Sequence, residues 1–551
     1  MKKRSKRLLA VLAGLAVIAG AGFAFRREIF LAYLSWDFER SHPVEPNRPI
    51  EWADGPISTA MPLVERPPNV VVILADDLGF NDVSFHGGGV VPTPAIDSIG
   101  RDGASFSNAY SAAPICAPSR AALLTGRYAT RSGFEFCPVP RSMGKVLAIL
   151  GGHDGRPHQP KIDEAAAGAL PPMQEQGLPG TEVTLAEVLR ARGYHTVHIG
   201  KWHLGSSPPY RPAAQGFDES LMLEGTRYSP PDSPEALDAK KPGDPVDVTM
   251  WRIGQHAVSF GDGAPFAPRG YLTDYFTDEA VKVIEKNRNR PFFLYLAHWA
   301  VHVPMQASRE DYDALPDIAD HDLRVHAAMV RSLDRSVRRV LDALRANGLE
   351  DDTIVIFSSD NGGPDYVGLP DLNKPYRGWK LTMFEGGTHV VEFLKWPKRV
   401  EKGTRLDAPV SHLDLLPTIA AAAGAEVPED RPIDGVDLLP YLAGEKTGRP
   451  HDRLFWREGG YRAVWADGWK LHVSENPKKA WLFDLSKDPY EGTNLADQDP
   501  ARVEELRGQL DAFDREQAPP MWPWFSEMPI WIDKTIDDPV TEDDEYVYWP
   551  N

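Results

Sequence analysis

The sequence predicts an α/β protein built on a large, mostly parallel sheet flanked by helices. Three observations point there. First, four short apolar runs lack the alternation of half-exposed strands: Asn69–Ala75 (NVVVILA), His195–Gly200 (HTVHIG), Pro291–Ala297 (PFFLYLA) and Thr353–Phe357 (TIVIF). Runs of this kind suit strands buried on both faces. Second, helical patterns lie between them, and alternating strand and helix implies a parallel sheet. Third, every run ends in ionisable residues, and open α/β sheets hold their ligands beyond the carboxyl ends of the strands.

The chain opens with MKKRSKR and an uncharged apolar run, Leu8–Phe25, followed by Arg26 and Arg27. This pattern predicts a signal peptide or an N-terminal membrane anchor over 1–27, with the basic start inside and the rest exported. The expected location is therefore periplasmic or otherwise extracytoplasmic. Residues 28–66 carry Pro43, Pro46, Pro49, Pro56 and Pro62, and read as an extended stalk. Residues 67–440 form the expected main α/β domain. Within it, Thr184 and Glu187 have capping-box spacing ahead of a helix that stops at Gly193. Residues 326–347 place Met329, Val330, Leu333, Val337, Leu341 and Leu344 on one helical face. Segments 138–180 and 205–270 are rich in Pro and Gly and read as irregular walls around a site. Their candidate contacts are His153, His158, Arg211, Arg227 and His256, each more commonly just an exposed residue. Residues 441–520 alternate short strands and turns, predicting a smaller α+β domain with an antiparallel sheet and a helix near Ala501–Glu516. Residues 521–551 hold Trp522, Trp524, Trp531 and Trp549 among acids, and read as a tail packed on the body.

Composition excludes several classes. The 551 residues include 60 Lys+Arg and 79 Asp+Glu, a net charge of −19. The basic leader masks part of that acidity, since residues 1–27 contain seven basic residues and no acid. Such a surface argues against nucleic acid as a partner. With 42% hydrophobic residues the chain is neither disordered nor a multi-span membrane protein. Two cysteines cannot build a disulfide framework.

The strand ends carry the chemistry. Asp76 and Asp77 follow the first run, and Asp360 and Asn361 follow the last. One acidic pair after a strand is usually a turn or cap. Two such clusters together supply three carboxylates and an amide oxygen, a set that suits a hard cation such as calcium or magnesium. No Cys/His cluster has zinc spacing. Lys201 and His203 follow the second run, and His298 and His302 the third. Cys116-Ala117-Pro118-Ser119-Arg120 opens a helical stretch. That location would favour anions and lower a thiol pKa. The competing readings are a buried thiol or a disulfide with Cys137.

The pentapeptide resembles the C-x-P-S-R signature of the formylglycine-dependent sulfatases, in the alkaline phosphatase superfamily. Further pieces follow in that family's order: NVVVILADDLGFN at 69–81, TGR at 125–127, GKWHLG at 200–205, AVHVP at 300–304, DNGG at 360–363 and RGWKLTMFEGG at 377–387. DLLPT at 414–418 and WLFDLSKDPYEGTNLA at 481–496 are similar to its closing motifs. The resemblance implies an alkaline-phosphatase-like fold and hydrolysis of an aryl or carbohydrate sulfate ester. It implies that a formylglycine-generating enzyme converts Cys116 to formylglycine. Its hydrate would attack sulfur through one hydroxyl, giving a covalent sulfo-enzyme that the second hydroxyl resolves. Calcium, or magnesium, would be held by Asp76, Asp77, residue 116, Asp360 and Asn361. Arg120 and Lys201 would stabilise the sulfuryl group. His203 would be the base, while His302 and Lys380 would bind sulfate and protonate the leaving oxygen. His298 and His389 are expected to serve packing or hydrogen bonding. Trp379 departs from the small residue common before that lysine. Two alternatives remain: a phosphonate monoester or phosphodiester hydrolase of the same superfamily, and a non-catalytic anchored binding protein with Cys116 unmodified.

Overall fold

A computed structural model describes residues 26–59, 66–150 and 155–551. The leader run 8–25 and His153 lie outside them. Nine strands form the main sheet: β1 Asn69–Ala75, β2 Ala104–Phe106, β3 His195–Gly200, β4 Glu219–Leu223, β5 Val258–Phe260, β6 Phe292–Ala297, β7 Thr353–Ser359, β8 Glu392–Lys395 and β9 Thr404–Leu406. Their order is β9-β2-β8-β7-β1-β6-β3-β4-β5. The four runs read from the sequence are the four adjacent central strands, β7-β1-β6-β3, all mutually parallel. Their carboxyl ends therefore open on one side of the sheet.

The absence of alternation is explained by packing. Val70, Val72 and Leu74 point into one core, and Val71, Ile73 and Ala75 into the other. Each fully buried Val or Leu contributes about 1.5–3 kcal/mol. One face is covered by the helices Leu272–Lys286 and His321–Ala346. The second of these buries all six residues of the predicted stripe and begins earlier than residue 326, because Asp320 accepts from Leu323 N at 2.8 Å and caps it. The other face is covered by Cys116–Thr125, Leu185–Ala191 and Leu415–Ala423. The Thr184/Glu187 capping box forms as its spacing predicts.

Three segments differ from the sequence expectation. Residues 28–66 are not a plain extended stalk. Arg26–Ser41 is a helix, and the chain beyond it is docked: Trp52 is buried and donates Nε1–H to Glu279 Oε2 at 2.9 Å. The prolines begin only at Pro43, so nothing in them forbade a helix before it. Segment 205–270 supplies the edge strand β5, its neighbour β4 and the helix Pro245–Ile253. Short strands carry weak periodic signals because few residues define them. Segment 138–180 contributes Lys161–Ile162, which pairs with Ser526–Trp531 of the tail; that strand also pairs with Tyr546–Pro550. Trp522 and Trp531 are buried and Trp524 is exposed.

Beyond the main sheet, Arg453–Glu458, Tyr461–Ala466, Trp469–Glu475 and Lys478–Asp484 form an antiparallel sheet, packed on the helix Pro500–Asp514 through Leu506 and Leu510. A buried cluster ties it to the main body: Lys470 Nζ lies 2.6 Å from Glu385 Oε1, and Glu491 Oε2 accepts from the Glu385 backbone N–H at 2.6 Å.

Candidate active site

The strand order places the acidic ends of β1 and β7 side by side, flanked by the ends of β6 and β3. Asp76, Asp77, Asp360 and Asn361 are all buried there. Cys116 begins its helix directly opposite, with Sγ 3.5 Å from Asp76 Oδ1 and 3.9 Å from Asp77 Oδ1. The helix starts at Cys116 because Ile115 is extended, and Pro118 fits its first turn. It ends at Gly126, whose φ of 66° is the left-handed conformation that closes a helix.

Cations surround the carboxylates. Lys201 Nζ lies 2.7 Å from Asp76 Oδ2, and Lys380 Nζ lies 2.7 Å from Asp77 Oδ1. Arg120 donates to Asp360 Oδ2 from Nε at 2.9 Å and from Nη2 at 2.7 Å. Burial opposes charge on Asp360, but Arg120 and Lys201 outweigh it and hold the carboxyl well below its usual range. Asp76 goes the other way: burial and the neighbouring Asp360 push it up to about 7. Burial and Asp360 likewise raise the Cys116 thiol well above its ordinary value. An unmodified thiol here would be held protonated, contrary to the lowering that a helix N-terminus alone suggests.

The histidines have distinct surroundings. His302 donates Nδ1–H to the Val303 carbonyl at 2.7 Å, which leaves Nε2 bare toward Lys380 Nζ at 3.4 Å and Asp77 Oδ2 at 3.5 Å. Its ring stacks on Trp299 at 4.1 Å, and burial pushes its pKa down to about 3. His203 is kept neutral by burial and by Lys201, Arg120 and Lys380. Asp77 and His203 adopt φ of 60° and 62°, sparsely populated for residues with a Cβ. His298 is turned away from this cluster and lies 2.9 Å from the Ser336 hydroxyl. His389 lies 2.9 Å from Glu385 Oε2 and stacks on Tyr376. Trp379 is buried in the core on the Cys116 side of the sheet.

All ten residues singled out from the sequence thus converge. Of the proposed wall residues, Arg211 pairs with Glu224 at 2.9 Å, Arg227 donates to the Gly254 carbonyl, His256 Nδ1 faces the Arg227 carbonyl and His158 stacks on Tyr546. Each is committed to a structural contact. Cys137 is a free, buried thiol rather than the disulfide partner of Cys116. One residue was missed. Tyr366 donates its hydroxyl to Asp77 Oδ2 at 3.0 Å and accepts from Lys380 Nζ at 3.1 Å. It lies in a short turn, Asp365–Val367, where no periodicity marks it.

Asp76, Asp77, Cys116 and His302 bring potential ligand atoms within 4.8 Å of one another. Asn361 Oδ1 is also buried there with no hydrogen-bond partner. Carboxylates with an orphaned amide oxygen fit a hard divalent cation. A thiol does not, whereas an oxygen-bearing residue at position 116 would.

Comparison with known proteins agrees with this constellation. The Sulfatase family profile matches residues 68–425, and that of N-sulphoglucosamine sulphohydrolase, C-terminal, matches 377–516. Mouse (Mus musculus) steryl-sulfatase is 32% identical, covering 82% of each chain. Dog (Canis lupus familiaris) N-acetylgalactosamine-6-sulfatase is 32% identical, covering 77% of this chain and 81% of its own. The crystal structure of Ps i-CgsB is 31% identical, with a TM-score of 0.69, covering 83% of this chain and 95% of that one. The chain belongs to the sulfatase family. It is a sulfuric ester hydrolase, with the mixed sheet and smaller antiparallel domain of that family. The phosphonate monoester hydrolase of Agrobacterium radiobacter shares the fold at 18% identity and a TM-score of 0.57.

Proposed function

We propose that the chain hydrolyses an aryl or carbohydrate sulfate ester outside the cytoplasm, using formylglycine made from Cys116. The observation that carries this reading is the position of Cys116: buried at a helix N-terminus, facing Asp76 and Asp77, within a ring of cations. Formylglycine, once hydrated, would supply one hydroxyl that attacks sulfur and displaces the alcohol or phenol, and a second whose deprotonation expels sulfate and restores the aldehyde. A formylglycine-generating enzyme is the partner this requires during maturation.

Asp76, Asp77, Asp360 and Asn361 would hold calcium, with magnesium as the alternative; the ion would neutralise charge on the sulfate oxygens. Lys201, paired with Asp76 rather than Asp360, would stabilise the sulfuryl group. Arg120, engaged by Asp360 through two donors, acts chiefly by fixing that carboxylate. His203, neutral and with Nδ1 unpartnered, suits the base that takes the second hydroxyl's proton. His302 Nε2 and Lys380 Nζ face one spot, where they would bind sulfate. Lys380 is the proton-bearing member and serves the leaving oxygen.

The names of similar proteins support the substrate class: steryl-sulfatase, N-acetylgalactosamine-6-sulfatase, and Ps i-CgsB in complex with k-i-k-neocarrahexaose. The basic start and apolar run support export, with Leu8–Phe25 as a signal or membrane anchor.

Mass analysis of the peptide spanning position 116, alongside turnover of an aryl-sulfate and sulfated-glycan panel, tests the reading. Aldehyde in the active preparation is expected. An intact thiol in active enzyme, or full activity in Cys116→Ala, would overturn the nucleophile assignment.

A further inference from the structure

The helix Arg26–Ser41 has two unlike faces. Leu31 is buried against Val146, with Phe30, Met143 and Val248 around it. On the same side the Ser35 hydroxyl donates to the Arg252 carbonyl at 2.9 Å. This face docks the helix on the body. The opposite face carries Ile29, Tyr33 and Trp36, which are 56%, 59% and 54% exposed. Their spacing of four and three places them in one stripe, one above the next. Tyr33 and Trp36 lie 6.1 Å apart between ring centroids, and the Arg40 guanidinium sits 5.3 Å over the Trp36 ring.

Large apolar side chains lined up in solvent mark an interaction surface. The chain itself supplies the argument for what covers it. The uncharged run Leu8–Phe25 ends one residue before the helix begins at Arg26. If that run enters a bilayer, the helix emerges at the bilayer surface. Trp, Tyr and Arg in one stripe are the residue types that prefer the boundary between headgroups and acyl chains. The helix is balanced in charge, with Arg26, Arg27 and Arg40 against Glu28, Asp37 and Glu39. Binding would then rest on apolar burial rather than on attraction to anionic lipid.

We propose that the Ile29–Tyr33–Trp36 face lies in the membrane interface, as a second, in-plane contact that holds the catalytic body against the bilayer. This rests on the anchor reading of Leu8–Phe25. Among the described residues no helix is long and apolar enough to cross a membrane, so this face would rest on the bilayer rather than span it.

The test uses the full chain reconstituted with phosphatidylcholine vesicles. Tyr33→Cys, Trp36→Cys and, as an exposed control outside the helix, Tyr490→Cys are each labelled with a fluorophore. Flotation reads the anchor, and quenching reads the face. The expected result is that all variants float, while labels at 33 and 36 are several-fold less quenched by iodide than the label at 490. Those two labels should also be quenched by nitroxide-bearing lipid. Flotation with equal iodide quenching at all three positions would overturn the face and leave the anchor reading standing. Shielding from iodide without quenching by lipid nitroxide would mean a second protein copy covers the stripe, and would also overturn it. Failure to float would overturn both readings.

Discussion

Arg120 spends two donors on a single oxygen of Asp360, reaching Oδ2 from Nε at 2.9 Å and from Nη2 at 2.7 Å. Both side chains are fully buried. The Asp360 main-chain carbonyl accepts from the Ser119 hydroxyl at 2.6 Å, so the helix that begins at Cys116 grips the end of β7 twice. Position 116 and the acidic strand end are thereby fixed relative to each other.

Removing one partner of this pair strands a buried charge. Arg120→Ala is expected to cost about 3–5 kcal/mol of stability. Arg120→Lys should lose less stability while still losing activity, because an ammonium cannot reproduce the two-donor geometry. Urea denaturation of both variants checks this. An unchanged midpoint for Arg120→Ala would show that the pair does not hold the site.

Asn361 Oδ1 is the clearest sign of a cation site, being buried and without a hydrogen-bond partner. Chelation should abolish activity and lower the thermal midpoint, and calcium should restore both. Calcium at 100 times its Kd would add about 2.7 kcal/mol. Asn361→Leu should weaken calcium binding measured by calorimetry. Equal affinity in that variant would exclude the amide as a ligand.

Tyr366 bridges Asp77 and Lys380 through one hydroxyl. Tyr366→Phe keeps the ring and removes only those two hydrogen bonds. The expected loss is about 10-fold in calcium affinity or kcat/KM, with the fold intact. A positioning role predicts a change in calcium affinity as well as turnover. If kcat/KM and calcium affinity both stay at wild-type values, the hydroxyl has no part in the site.

Glu385 gives a pH signature away from the active centre. Burial favours its neutral form, but Lys470 and His389 outweigh that and hold it at about 2. An unfolded glutamate titrates near ~4.3. The folded value is depressed, so the stabilisation is fully present above ~4.3 and is lost as pH falls toward 2. Stability should therefore drop steeply across that window. Glu385→Gln should be less stable at neutral pH and show a shallower acid slope. Parallel slopes for the two proteins would remove Glu385 from the acid transition.

Much of this architecture is legible in the residues. The four buried runs are recognisable because a strand covered on both faces is largely apolar without alternation, as Val70–Ala75 is. The helix at 321–346 is recognisable because its stripe repeats over several turns. Strands β4 and β5 are not, since a strand of three to five residues leaves no pattern of its own. The helix at 26–41 was hidden by the prolines that follow it. Tyr366 was hidden for a different reason: its role depends on where a turn delivers one hydroxyl, and a turn has no period.

The sequence by itself singled out ten candidate site residues: nine follow a buried strand or lie early in the Cys116 helix, and Lys380 stands out only through its resemblance to the family motif. It also set the acidic body and the apolar leader. Only the tertiary structure decided that those four strand ends are neighbours, that Arg120 is held by Asp360, and that His302 turns its bare nitrogen toward Lys380. Strand order and side-chain partnership arise from contacts between residues hundreds of positions apart. Local periodicity records only how each segment is buried, and says nothing about which other segment buries it.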